Sequence, residues 1–227
     1  LLTDSDETTI AVAADQPDTG PATSVSLSPS DSATLVGGSS TYDVVVDDAQ
    51  AGVGAYTASV SLDDASVASI TDVTLEGSPA EQTTNVDIAT DGSSVTIDAA
   101  LMDTADTGSV TVATVTVEGA SEGSTSLSVA VDALADEGAN EYTVTQSTGA
   151  SLTVTAITVG DYDNPVTDTD GDGQYEDING DGEFDIIDIQ ALFANLDDDS
   201  VQDNPEKFDF NGQGSVDILD VHALYTE

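Results

Sequence analysis

The chain has 227 residues, of which 45 are Asp or Glu and a single one, Lys207, is Lys or Arg, so its formal net charge is −44. That balance excludes nucleic acid and anionic membrane as partners, and the absence of Cys removes disulfide and thiol chemistry while leaving the redox compartment open. With 38% apolar residues the chain is expected to fold once salt screens its carboxylates, the Debye length being roughly 3 Å at molar salt, and this reads as a halophilic archaeon's protein; a cationic partner is the other reading of the charge.

The chain opens Leu1-Leu2-Thr3-Asp4, without a basic n-region or an apolar h-region, and is read as a mature N-terminus. No stretch approaches the eighteen or so apolar residues of a membrane span. Residues 1–22 are expected to be a tail and linker, closed by the turn-rich Gln16-Pro17-Asp18-Thr19-Gly20-Pro21. Within them Thr8-Thr9-Ile10-Ala11-Val12-Ala13 has the alternation of one short strand. It either pairs with its own domain or is donated to a neighbouring molecule by strand addition.

Residues 23–159 form a procession of short alternating runs, 24–28, 42–47, 56–62, 67–75, 86–88, 95–99, 110–117, 126–131, 142–145 and 152–159. Gly37-Gly38, Gly52, Asp91-Gly92, Thr107-Gly108, Glu118-Gly119, Glu137-Gly138 and Thr148-Gly149 lie between runs rich in Val and Thr, which predicts an antiparallel β-sandwich with no long helix. Aromatic residues are only 4% of the chain, so its core must be built from Val, Ile, Leu and Ala.

The stretches Val53-Gly54-Ala55-Tyr56, Ala58-Ser59-Val60-Ser61-Leu62-Asp63, Val67-Ala68-Ser69-Ile70 and Thr107–Val117 resemble those of a cohesin, the receptor module of cellulosome assemblies. The resemblance covers most of residues 24–159. It implies a jelly roll of about nine strands, one face of which docks a dockerin.

At Gly160 the pattern changes. Residues 161–227 hold 20 of the 45 acidic residues, at fixed spacing rather than in runs. In a twelve-residue EF-hand loop, side-chain oxygens come from positions 1, 3 and 5, a carbonyl from 7, a water-linked group from 9 and a carboxylate from 12, with Gly turning the chain at 6. The segment Asp177–Asp188 meets every requirement: Asp177, Asn179, Asp181 and Asp188 as side-chain ligands, the Glu183 carbonyl, Asp185 through water, and Gly182 at the turn. Ile189, Leu192, Phe193 and Leu196 follow at helical spacing to anchor it.

Thirty-two residues on, Asp209, Asn211, Gln213, Ser215, Asp217 and Asp220 repeat the plan, and Val221, Leu224 and Tyr225 repeat the helix. Gln213 offers a neutral amide where the first loop has Asp181, so the second loop is expected to bind calcium more weakly. Upstream, Asp168-Thr169-Asp170-Gly171-Asp172-Gly173-Gln174 is a partial third loop, whose spacing resembles a thrombospondin type 3 repeat. Its ion would be held by Asp168, Asp170, Asp172 and the Gln174 carbonyl. Asn179 stands at its twelfth position but is already committed to the next loop; a solvated acidic linker is the alternative. Oxygen ligands of this kind select Ca²⁺ over zinc or copper, and His222 is expected on a helix surface.

The duplicated loop, with Asp at position 12 and a helix only after it, resembles a type I dockerin over residues 160–227. In that family the recognition positions lie just before the last calcium ligand, which carries over to Ile186, Ile187, Ile218 and Leu219. Those residues serve either docking or the module's own core.

One His, one Lys, no Arg and no Trp leave no conventional triad, oxyanion clamp or sugar-stacking groove, so no catalytic residue is assigned and no enzyme is expected. Two functions remain. One is an extracellular or cell-surface assembly protein that associates with copies of itself, or with related cohesin and dockerin proteins, as a homo-oligomer, filament or surface array. The other is a monomeric adhesion module that binds a surface glycan or protein.

Overall fold

The computed structural model describes residues 20–226, so the strand expected at residues 8–13 lies outside the described residues. The strands are β1 (Ala22–Ser28), β2 (Asp31–Leu35), β3 (Ser39–Ala49), β4 (Ala55–Leu62), β5 (Ala68–Leu75), β6 (Asn85–Ile88), β7 (Ser94–Ala100), β8 (Gly108–Gly119), β9 (Gly123–Ala135), β10 (Thr143–Thr148) and β11 (Ala150–Thr155). They form two sheets, in the orders β10-β1-β3-β8-β5 and β2-β11-β9-β4-β7-β6. The expected β-sandwich is therefore present.

Its pairing departs from the expected antiparallel pattern at two places. β1 runs parallel to β10 in one sheet, and β2 runs parallel to β11 in the other. Both parallel pairs arise because the chain changes sheet between β1 and β2 at one end of the sequence and between β10 and β11 at the other, the second crossing returning beside the first. Gly149 makes the second crossing: a Cβ there would lie 2.1 Å from the Leu127 carbonyl oxygen, so only glycine fits. β2, Asp-Ser-Ala-Thr-Leu, is an edge strand with little buried surface, which is why its sequence carries no strong alternation.

Alternation elsewhere sorts the residues as a half-buried strand must. Val25, Leu27, Val44, Val46, Ala58, Val60, Val95, Ile97, Val115, Leu127, Leu152 and Val154 face inward and form one core. Three tyrosines extend it, each with its hydroxyl satisfied: Tyr42 donates to the Ser151 carbonyl (2.9 Å), Tyr56 to that of Val112 (3.2 Å) and Tyr142 to that of Gly52 (2.8 Å).

The run expected over 152–159 ends as a strand at Thr155. Beyond it Ile157 and Val159 leave the sheet and join a second core with Val166, Tyr175, Ile178, Ala191, Leu192, Val201, Phe208, Val216, Val221 and Leu224. The cause is local, since the Ile157 carbonyl accepts the Val166 amide at 2.8 Å and draws this stretch into the C-terminal module. That module carries α1 (Ile186–Ala194), α2 (Asp199–Gln202), α3 (Pro205–Phe208) and α4 (Ile218–Leu224). Among the described residues no helix is long and apolar enough to cross a membrane.

Two expected anchors are not anchors. Leu192 and Leu224 are fully buried, but Phe193 and Tyr225 face solvent. Each is the next residue along the chain from its leucine, about 100° around a helix at 3.6 residues per turn, and only one side of each short helix meets the core.

Candidate metal centres

The loops at 177–188 and 209–220 have nearly the same internal geometry, residue for residue. In the first, the Asp177 carboxylate accepts the Asp181 amide through Oδ1 (3.0 Å) and the Gly182 amide through Oδ2 (2.8 Å), and Asn179 Oδ1 also accepts from Asp181 (2.8 Å). In the second, Asp209 accepts from Gln213 (3.0 Å) and Gly214 (2.5 Å), and Asn211 Oδ1 accepts from Gln213 (3.0 Å). Gly182 and Gly214 turn the chain at φ +87° and +91°, a left-handed conformation that side chains disfavour.

Each loop is closed by its twelfth residue. Asp188 and Asp220 are both 0% exposed. Asp188 accepts the Asn179 amide at 3.0 Å and the Asp185 amide at 2.8 Å; Asp220 accepts those of Asn211 at 3.2 Å and Asp217 at 2.7 Å. Asp185 and Asp217, the ninth residues, in turn cap α1 and α4 by accepting the Ile187 amide (2.6 Å) and the Leu219 amide (2.7 Å). Each pair is a reciprocal capping box, so the residues that close the loop also start the helix. A cap of this kind contributes about 1 kcal/mol.

Electrostatics shows what such closure lacks. Burial pushes the Asp188 carboxyl above the ordinary carboxylate range, and the charges of Asp177 and Asp181 push it further, against the lowering effect of the two amides. Asp220 is raised in the same way, by burial first and then by Asp209 and Asp217. A divalent cation held by oxygens relieves both effects at once, and the donor set of carboxylates, carboxamides and carbonyls suits Ca²⁺.

The second loop differs at its fifth position. The Gln213 carboxamide nitrogen donates to Asp217 Oδ2 at 2.7 Å and to the Ser215 carbonyl at 3.3 Å, so the fifth position presents a donor to the ninth residue. In the first loop Asp181 Oδ1 instead accepts the Glu183 amide at 3.0 Å.

The third, partial loop repeats the opening of the others: Asp168 accepts the Gly173 amide (2.8 Å), Asp170 that of Asp172 (3.1 Å) and Asp172 that of Gln174 (2.8 Å). Its closing residue is one the spacing did not single out. Glu176 has a carboxylate oxygen within 4.8 Å of those of Asp168, Asp170 and Asp172, while its Oε2 accepts the Thr169 amide at 3.0 Å and the Thr169 hydroxyl at 3.1 Å. Burial raises the Glu176 carboxyl, and the Asp168 charge adds to this. Asn179 is turned into the 177–188 loop, where it holds Asp181. The Gln174 side-chain oxygen is buried without a hydrogen-bond partner.

The four residues expected either to dock or to pack inward are exposed. Ile186, Ile187 and Phe193, with their counterparts Ile218, Leu219 and Tyr225 thirty-two residues on, are 46–65% exposed. His222 is exposed on α4, as expected.

Residues 175–226 match the family described as dockerin type I domain. Solved structures similar to this chain include a non-cellulosomal cohesin from the archaeon Archaeoglobus fulgidus, 20% identical, covering 59% of this chain and 91% of its own, with a TM-score of 0.44. A type II cohesin domain from the cellulosome of Acetivibrio cellulolyticus is 15% identical and covers 58% and 95%, with a TM-score of 0.46. The seventh ScaB type I cohesin from Pseudobacteroides cellulosolvens is 11% identical and covers 59% and 92%, with a TM-score of 0.45. No curated protein matches the chain.

Proposed function

We propose that this chain is a non-catalytic assembly protein, extracellular and adapted to high salt, whose calcium-ordered C-terminal module docks on the sandwich of another copy or a related protein. The duplicated apolar surface carries this reading. Ile186, Ile187, Phe193, Ile218, Leu219 and Tyr225 are large, exposed and repeated, whereas the module meets its own sandwich through Tyr175, whose hydroxyl donates to the Val36 carbonyl at 2.9 Å. Exposed apolar patches of this kind mark interaction sites. The dockerin type I match over the same residues supports the same use.

The ions belong to that surface. The first site is assigned to Asp177, Asn179, Asp181, Glu183, Asp185 and Asp188, and the second to Asp209, Asn211, Gln213, Ser215, Asp217 and Asp220. A third takes Asp168, Asp170, Asp172 and Glu176, with Gln174 beside them. Calcium at the first two fixes Asp188 and Asp220, which start the helices whose first residues are Ile186 and Ile218. Docking is therefore linked to metal through α1 and α4.

Polarity along the sandwich favours an open chain of subunits. The C-terminal module sits where β2 and β11 end and β9 begins, since Val36 bonds Thr155 and Val154 is paired with Gly123. At the opposite end of β9, roughly 30 Å away at strand rise, lies a cleft of about 470 Å³ lined by Ala55, Thr57, Ala100, Ala133, Ala135 and Val144. A module seated at one end cannot reach a cleft at the other, so docking there joins different molecules head to tail. Such a heterologous contact propagates as a filament wherever its rotation does not close a ring. Electron micrographs of the protein with calcium are expected to show filaments that disappear with chelator; isolated particles under both conditions would leave the monomeric adhesion role.

A further inference from the structure

The sandwich and the C-terminal module meet through an arrangement that uses the chain's single Lys or Arg. Tyr175 is 3% exposed, and its hydroxyl donates to the Val36 carbonyl at 2.9 Å. That carbonyl is carried by a firm turn: the Val36 amide donates to Thr155 (3.0 Å) and the Gly37 amide to Gly119 (2.8 Å), fixing it to the ends of β11 and β8. Leu35 packs against the second core beside it.

Behind Tyr175 stands Lys207. Its ammonium nitrogen lies 4.6 Å from the centre of the Tyr175 ring and donates to the Gly173 carbonyl at 3.2 Å. The Tyr175 amide donates to the Lys207 carbonyl at 3.0 Å, so the two residues hold each other by backbone as well as side chain. An ammonium over an aromatic face is attracted by the ring, more so where water is partly excluded.

We infer that Lys207, Tyr175 and Val36 form a latch that fixes the C-terminal module at one orientation on the sandwich, with Lys207 as the positioning residue. Domains of one chain move relative to each other unless the contact between them is firm. Swinging this module away would exchange the Tyr175–Val36 hydrogen bond for water and separate Leu35 from the second core, exposing apolar surface, so the closed arrangement is favoured. The inference holds whether or not the module docks on another molecule.

The full chain lacks Cys, so labels can be placed singly. Ser128→Cys on β9 and Gln190→Cys on α1, both at exposed positions, carry spin labels whose separation is read by double electron–electron resonance in calcium-saturated protein diluted with unlabelled chain. One narrow distance peak is expected. Tyr175→Phe, which removes only the hydroxyl, and Lys207→Met, which removes the charge and the hydrogen bond to the Gly173 carbonyl, should each widen that peak about twofold or more, whereas Lys207→Arg should keep it narrow. Circular dichroism confirms that each variant is folded. A broad distribution in the parent chain, or an unchanged peak in both Phe and Met variants, overturns the latch.

Discussion

Asp188 and Asn179 stand nine residues apart, and the buried carboxylate of the first accepts the backbone amide of the second at 3.0 Å. Asp220 and Asn211 repeat the contact at 3.2 Å. Through its other oxygen each aspartate also holds the amide of its helix cap. Replacing Asp188 by Asn keeps the shape, removes a charge and sets an amide donor against one of the two backbone donors. Calorimetry on Asp188→Asn should show calcium affinity at that loop reduced roughly tenfold or more, with Asp220→Asn acting likewise on the second.

The two loops should differ in strength. Gln213 is neutral, and its amide nitrogen occupies Asp217 and the Ser215 carbonyl. Gln213→Asp supplies an acceptor where that donor now stands, and should tighten the second loop about tenfold, bringing it close to the first. Equal affinities in the unaltered protein, measured by the same titration, would contradict the ranking.

pH should act oppositely on the two modules. Asp188, Asp220 and Glu176 are raised, each chiefly by burial, against Asp198, which the Ser200 amide and hydroxyl hold low. A raised carboxyl binds its proton more tightly when folded. In calcium-free protein that stabilisation is complete below the ordinary carboxylate pKa of about 4 and is lost as pH rises through the raised values. Calcium must displace those protons, so its affinity should fall on acidification, with proton release on binding that grows as pH is lowered toward the raised values. In the sandwich, Asp31, Asp64, Asp91 and Asp136 are held low by hydrogen bonds from Ser151, Ser66, Ser93 and Asn140 respectively. Their contribution is present above the ordinary range and lost as pH falls through the lowered values. Thermal melts with chelator at several pH values should separate the two trends.

How much of this was readable along the chain depended on distance. The candidate ligands of the first two loops lie within twelve consecutive residues, so spacing alone is enough to propose them. The sandwich was legible for a similar reason, because inward and outward residues alternate within each strand. β2 was missed because an edge strand needs little apolar surface. Glu176 was missed because it stands at the ninth place of its loop, where the EF-hand pattern assigns a water-linked group and not a closing carboxylate. The contact of Tyr175 with Val36 joins positions 139 residues apart, and nothing local in either segment announces it.

Removing calcium should unmake the C-terminal module and spare the sandwich. α1 has nine residues and α4 seven, too short to persist alone, and both begin at carboxylates that lose their counter-charge with the ion. Amide hydrogen exchange with chelator should show protection lost at α1 and α4 and retained at β3, β4, β8 and β9. Protection retained throughout would mean that the loops do not order the module.

The most direct test of calcium-dependent docking is light scattering of the full chain at high salt, in calcium, then chelator, then calcium again, beside Ile187→Asp/Leu219→Asp. The unaltered protein is predicted to give polymers in calcium, monomers in chelator and polymers again on readdition. The double variant should bind calcium and stay monomeric. Monomers throughout for the unaltered chain, or polymers that survive complete chelation or form equally well in the double variant, would contradict it.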